Sequence, residues 1–197
     1  MKYPIVEIAD ILGVDYHSIS NKNATVSQLL TDSRSLTDPE ETIFFALKTA
    51  NNDGHNYIAS LYQRGVRSFV VNHIDNVTRE MREANFLVVP DTLEALQTLA
   101  TNHRRRFHIP VIGITGSRGK TTVKEWLNHL LADDYKIVRS PRSYNSQIGV
   151  PLSLWDIDDH TSLAIIEAGI STTGEMDNLQ AMIRPTIGVI TNIGSEH

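Results

Sequence analysis

Cysteine is absent from all 197 residues, which excludes disulfides and thiolate metal sites and leaves nothing to tie the chain to an oxidising compartment. Long apolar runs are missing too: no stretch approaches the ~20 residues that a membrane span needs. Excess positive charge is also lacking. Eighteen Lys and Arg against 23 Asp and Glu leave a formal charge of -5, which argues against a broad basic surface and hence against a nucleic-acid partner. The opening Met1-Lys2-Tyr3-Pro4-Ile5-Val6-Glu7 has no basic segment leading into an uninterrupted apolar core, because Glu7 and Asp10 break it. The expected setting is the cytoplasm. Internal repeats and low-complexity tracts are not found, so the alternation of strand-like and helix-like stretches carries the information.

What is present reads as α/β. Ile5, Ile8, Ile11 and Leu12 recur at helical spacing and Gly13 stops them. Extended segments follow at Val26 to Leu30 and Thr42 to Leu47. A helix is expected from Tyr57 to Arg64, ending near Gly65, and then two short apolar runs, Ser68 to Val71 and Phe86 to Val89, of the kind buried on both faces. Asp91 with Glu94 forms a capping box ahead of a helix whose apolar face is Leu93, Leu96 and Ala100. That helix runs into Arg104-Arg105-Arg106, read as positive charge complementing a helix C-terminus. The polar stretch from Asn102 to His108 suggests a domain boundary near residue 107. Beyond it come strand Val111 to Thr115, helix Lys120 to Leu131, strand Lys136 to Val138, helix Val150 to Trp155, strand Leu163 to Ile166, helix Glu175 to Met182 and strand Ile187 to Ile190. Such alternation implies parallel strands joined by right-handed crossovers.

The chemistry is concentrated at Gly116-Ser117-Arg118-Gly119-Lys120-Thr121-Thr122. An apolar strand precedes it, and Val123, Trp126, Leu127, Leu130 and Leu131 follow on one expected helical face. In a strand-loop-helix of this type, glycines let backbone N–H groups close around phosphate oxygens, and the helix N-terminus adds partial positive charge. Lys120 would reach the β- and γ-phosphates of ATP and the Thr121 hydroxyl would ligate Mg²⁺. Arg118 lies at a slot that is usually permissive, and Thr122 is either a second hydroxyl near the metal or a bond back to the helix. One departure stands out: the general pattern wants a glycine five residues before Gly119, where this chain has Ile114.

Glu167 follows the apolar Leu163 to Ile166, so it is expected at the carboxyl end of a parallel strand, where a carboxylate can hold magnesium. His197 follows the strand at 187–190 and the turn-like Thr191 to Gly194, which places it on the same sheet edge as a second metal-ligand candidate.

Thr115 to Thr122 resembles the ATP loop of the Mur ligases and of their relatives the folylpolyglutamate synthases, which share the missing early glycine. Thr31-Asp32-Ser33-Arg34, Phe44-Phe45-Ala46-Leu47 and Asp53-Gly54-His55 resemble the uridine-nucleotide domain of the Mur ligases, a domain that the folate ligases lack. Ser143 to Leu152 is similar to a segment of the branch that adds D-alanyl-D-alanine, although the family usually has asparagine where Ser143 and Ser146 stand, so a nucleotide role passes to Asn145 alone. The wording from Tyr144 to Trp155 further resembles a form fused ahead of an alanine racemase. The resemblance implies a UDP-sugar-binding α/β domain over residues 1–107 and the first part of a parallel-sheet P-loop ATPase domain over 108–197, the chain being the amino-terminal part of a longer ligase. It implies ATP and Mg²⁺ as cofactors and UDP-N-acetylmuramoyl-tripeptide and D-alanyl-D-alanine as substrates. Lys120 is the implied catalytic residue; Thr121, Glu167 and His197 are the implied metal ligands; Ser33 and Arg34 are the implied substrate contacts. The alternatives are a ligase of the third peptide residue and a non-catalytic nucleotide-binding module; a GTPase should carry an Asn-Lys-x-Asp segment, which this sequence does not have.

Overall fold

The computed structural model describes residues 1–75 and 77–194. They divide into two compact units, Met1–Leu99 and Ala100–His197, each built on a four-stranded parallel sheet.

In the first unit β1 (Tyr3–Pro4) leads into α1 (Ile5–Leu12), followed by β2 (Thr25–Val26), β3 (Gln28–Leu30), β4 (Thr42–Phe45), α2 (Ile58–Gln63), β5 (Ser68–Val71) and β6 (Asn85–Val88). The sheet order is β3-β4-β5-β6, and every pairing is parallel. All four residues of β4 and of β5 are buried, as expected of central strands covered on both faces. Phe69 stacks on Phe86 and meets Phe44 edge-on, at 5.4 and 6.4 Å between ring centroids, and Leu61 and Val66 close the same cluster. The helix α1 stops as anticipated: Gly13 takes φ 67, and the N–H groups of Gly13 and Val14 return to the carbonyls of Asp10 and Ala9.

One expected strand is two. The run from Val26 to Leu30 breaks at Ser27, so that β2 pairs antiparallel with β1 while β3 joins the parallel sheet. Successive N–H groups of Ser27 and Gln28 both reach the Glu41 carbonyl, a local shift that hydropathy alone does not encode.

Helix α3 (Thr92–Arg104) starts where Asp91 accepts hydrogen bonds from the N–H groups of Leu93 and Glu94. The second unit continues with β7 (Val111–Thr115), α4 (Lys120–Leu131), β8 (Ile137–Arg139), α5 (Gly149–Trp155), β9 (Leu163–Glu167), α6 (Glu175–Ile183) and β10 (Ile187–Ile190), in the parallel order β10-β7-β9-β8. The period of two along each strand sorts its side chains between two cores. Val111, Ala164 and Ile166 face α5 and α6, with Leu154, Leu179 and Met182. Ile112, Ile114, Leu163 and Ile165 face α4, against Val123, Leu127 and Leu131. Glu167 shares the parity of Leu163 and Ile165, and that parity aims it at α4.

Two expectations about charged and apolar surfaces change. Arg104 is 5% exposed: its guanidinium donates to the carbonyls of Phe107 (2.8 Å), Ile183 (2.8 Å) and Arg184 (3.0 Å). It therefore caps the C-terminus of α6 from within the core, and burial lowers its pKa. On α4, Trp126 and Leu130 are 67% and 72% exposed, while Lys124 is fully buried. The inward face is centred on Lys124 and Leu127, rotated from the stripe that counts apolar residues only.

Candidate nucleotide site at the carboxyl edge of the second sheet

The loop 116–119 joins β7 to α4 in four residues. Gly116 has φ 132, and a Cβ there would lie 2.1 Å from the Thr191 hydroxyl; Gly119, at φ 84, opens α4. Only glycine meets both demands at Gly116. Ile114 lies in β7 with no exposed surface, so the position that departs from the general pattern belongs to the core beneath the loop. The loop turns only after Thr115.

Lys120 folds back over this turn, its Nζ donating to the Gly116 carbonyl at 2.5 Å. Thr121, one residue on, donates its hydroxyl to Glu167 Oε2 at 3.2 Å, so the loop hydroxyl and the strand-end carboxylate meet as their sequence positions suggest. Thr122 and Arg118 are exposed, and Thr122 lies with Lys120 and Thr121 in the first turn of α4, where helical N–H groups have no partner inside the helix. The N–H groups of Ser117 and Arg118 are engaged instead by Asn192, at its carbonyl (3.1 Å) and its Oδ1 (2.9 Å). Ser117 and Gly194 exchange hydrogen bonds at 3.0 and 3.1 Å, and Thr191 donates to the Arg118 carbonyl at 2.6 Å. The segment after β10 thus forms the outer wall of the loop.

Glu167 is wholly buried. Its N–H donates to the Ser140 hydroxyl at 3.0 Å; Oε2 takes the Thr121 hydroxyl; Oε1 accepts no hydrogen bond among the described residues and faces the Lys124 ammonium at 3.0 Å. A buried carboxylate with unused lone pairs beside a threonine hydroxyl is the oxygen donor set of a hard divalent cation, so these residues fit magnesium. Asn145 joins the same edge: its carbonyl accepts the Gly169 N–H at 2.7 Å, and its Oδ1 lies 2.7 Å from where a Cβ on Gly169 would be. A cleft of about 720 Å³ opens between Thr115–Ser117, the 170–173 loop and Asn192–Gly194, within the size range of small-molecule sites. Glu175 braces its wall: one carboxylate oxygen accepts the N–H groups of Ser171 (2.6 Å) and Thr172 (2.9 Å), and these bonds hold its pKa below the usual carboxylate range.

Of the other sequence candidates, Ser33 and Arg34 lie in the first unit, in a single 3-10 turn. Arg34 is exposed and forks onto Asp32 (2.7 and 2.9 Å), which lowers the Asp32 pKa to about 2; the Ser33 carbonyl accepts Arg64 at 2.8 Å. His197 lies outside the described residues. Sequence reasoning missed Lys124, Ser140 and the loop contacts of Asn192. Lys124 had a signal, because it precedes Leu127 and Leu131 by three and seven residues and so stands in an inward helical stripe. Ser140 and Asn192 had none, since their partners are distant in the chain.

A parallel α/β sheet with a glycine loop, lysine and threonine at its carboxyl edge, and a carboxylate from the adjacent strand, defines the P-loop nucleotide-binding class. Two family models tile most of the sequence, one described as "Mur ligase family, catalytic domain" over residues 25–104 and one as "Mur ligase middle domain" over 114–197, and the chain belongs to the Mur ligase family. It is 30% identical over its whole length to the UDP-N-acetylmuramoyl-tripeptide–D-alanyl-D-alanine ligase of Bacillus subtilis, and 34% identical to that of Synechocystis. It spans 42% and 43% of those relatives' lengths. A crystal structure of MurF from Acinetobacter baumannii superposes on the whole chain at TM-score 0.90 and 28% identity, the match covering 42% of that structure. MurF from Thermotoga maritima in complex with ADP matches 87% of the chain at TM-score 0.75 and 26% identity, over 39% of its own length.

Proposed function

We propose that these residues serve, within a polypeptide of the relatives' length, an ATP-dependent ligase that joins D-alanyl-D-alanine to UDP-N-acetylmuramoyl-tripeptide. In this reading residues 1–107 bind the UDP-sugar and residues 108–197 form part of the ATP-binding domain. The observation that carries it is the meeting of Thr121 with the buried Glu167 directly beneath a P-loop, in a chain whose relatives bear that ligase's name.

The terminal carboxylate of the tripeptide attacks the γ-phosphorus of ATP, the bond to the β-phosphate oxygen breaks, and ADP leaves. The dipeptide amine then attacks the acyl phosphate, expelling phosphate and leaving an amide. Lys120, released from the Gly116 carbonyl, places its ammonium on the phosphates, and the free N–H groups at the start of α4 add to it. The loop residues Gly116, Ser117, Arg118, Gly119 and Thr122 shape this cradle, with Asn145 at its border. Thr121 and Glu167, together with His197, would hold magnesium, which when bound offsets negative charge on the transferring phosphoryl group. Ser33 and Arg34 contact the nucleotide-sugar; the exposed pair of Arg34 with Asp32 costs little to open. No helix among the described residues is long and apolar enough to cross a membrane, in keeping with a cytoplasmic site of action. The fusion to alanine racemase rests on the wording of residues 144–155.

The test is phosphate release from Mg-ATP by the protein at the relatives' length, supplied with UDP-N-acetylmuramoyl-tripeptide and D-alanyl-D-alanine. Release should require both. Release with the dipeptide omitted overturns the ligase assignment, and release that instead requires UDP-N-acetylmuramoyl-dipeptide and a single amino acid moves the chain to another branch.

A further inference from the structure

We propose that Lys124 is a positioning residue of the nucleotide site, its buried ammonium clamping the Glu167 carboxylate and the 140–145 loop so that Glu167 Oε2 is aimed at Thr121. The inference rests on the ATP and magnesium reading above and extends it to a side chain with no place in the P-loop pattern.

Lys124 and Glu167 are both fully buried. A lone ammonium there would be prohibitively costly, so the arrangement of its partners is informative. Nζ donates to the carbonyls of Ser140, at 2.7 Å, and of Arg142, and it stands 3.0 Å from Glu167 Oε1. A further carboxylate, Glu125, comes within 3.3 Å from the same helix but is half exposed and also pairs with Arg139 at 3.1 Å. Arg142 adopts φ 49, a left-handed conformation that a non-glycine residue takes at a cost, and its carbonyl is one that Lys124 binds. Ser140 completes the frame, receiving the Glu167 N–H on its hydroxyl while its own N–H returns to the Ile165 carbonyl.

The consequence is geometric. With Oε1 held by the ammonium, Oε2 is left pointing to the Thr121 hydroxyl, beside the P-loop residue with which it would share a cation. The same ammonium anchors the start of the loop that carries Asn145, whose carbonyl holds Gly169, two residues beyond Glu167. A single cation one turn along α4 from Thr121 therefore sets three elements of the site at once: the hydroxyl on its own helix, the carboxylate on β9, and the loop after β8. An ion pair that was only structural has no need to leave the second carboxylate oxygen directed at the loop.

The experiment compares ADP affinity by calorimetry, with Mg²⁺ and with EDTA, for the wild type, Lys124→Met and Lys124→Gln; the last keeps a donor for the Ser140 and Arg142 carbonyls without the charge. Partners that orient metal ligands are typically worth about 10–100-fold in metal affinity, so the magnesium enhancement should fall by about that factor while affinity in EDTA changes less than about threefold. Equal losses in both arms, or an unchanged enhancement, overturn the assignment. Should neither variant fold, the wild type answers by itself. The Lys124 ¹⁵Nζ resonance, protected from exchange by burial, should move on addition of Mg-ADP and not of ADP alone, and an unmoved resonance overturns the proposal. A wild type that binds no nucleotide overturns the functional reading and this inference with it, whereas variants that keep the magnesium enhancement without Lys124 remove only the latter.

Discussion

Lowering the pH should loosen the second unit through His103. The ring is 1% exposed at the end of α3, with centroids 5.0 Å from Phe107 and 4.7 Å from Trp155, and its Nε2 lies 2.7 Å from the Ile157 carbonyl. A carbonyl only accepts, so Nε2 carries the hydrogen and donates it. Burial is the largest influence on the ring and pulls its pKa from 6.5 to about 4, against the opposing effect of the bond to Ile157. Because the folded pKa lies below the unfolded one, the unfolded chain takes up the proton first. The stability associated with a neutral ring is therefore intact above about pH 6.5, declines as the pH falls, and is gone below about pH 4. A gap of about 2.5 pH units at ~1.36 kcal/mol each amounts to about 3 kcal/mol, a large part of the ~5–15 kcal/mol that holds a typical domain together. Urea unfolding followed by tryptophan fluorescence across this range, on wild type and His103→Gln, isolates the effect: the glutamine amide can still donate to Ile157 but does not titrate. Carboxylates such as Asp32 and Glu175 titrate in both proteins and cancel in the difference. The difference in unfolding free energy should slope toward the variant as the pH drops, and parallel curves would refute the reasoning.

The loop and its surroundings give three more expectations, and the first unit a fourth. Gly116→Ala brings a methyl into the Thr191 hydroxyl at a φ that alanine resists, so nucleotide binding by calorimetry should weaken at least about tenfold, with a strain cost of order 1–3 kcal/mol in the unfolding free energy. Glu167→Gln removes the buried counter-charge of the Lys124 ammonium and leaves it only the half-exposed Glu125; it should lower stability by about 3 kcal/mol in denaturant titrations and remove the magnesium dependence of nucleotide binding. Asn192→Ala frees the Arg118 N–H and takes away a wall of the loop, with an expected loss of about 1–2 kcal/mol in nucleotide affinity and faster hydrogen exchange at Arg118. Arg34→Ala, in the first unit, should weaken UDP-sugar binding while leaving Mg-ADP affinity and thermal stability nearly unchanged, because its guanidinium is exposed and its ion pair with Asp32 is open to solvent.

The placement of Glu167 shows how far the sequence reaches. Four apolar residues followed by a carboxylate define a buried strand and its carboxyl end, and the alternation along that strand fixes which face the carboxylate takes. The same local logic places Lys120 and Thr121 at the start of a helix and accounts for Ile114, which fills a strand position in the core below the loop. The limits appear in α4. A pattern built from apolar residues alone turns its inward face toward Trp126 and Leu130, whereas the structure turns it toward Lys124.

By itself, then, the sequence determined the α/β alternation, the glycine loop between a strand and a helix, and the strand-end carboxylate, because each is written in contiguous residues and in periods of two or 3.6. Only the tertiary structure decided that Val26 to Leu30 serves two sheets, that Arg104 caps α6, that Asn192 occupies the loop amides and that Lys124 is buried against Glu167. Each of those depends on a charge or a backbone group finding its partner from a distant part of the chain. A lysine is a surface residue by composition and becomes an interior one only when a carboxylate and two carbonyls converge on it.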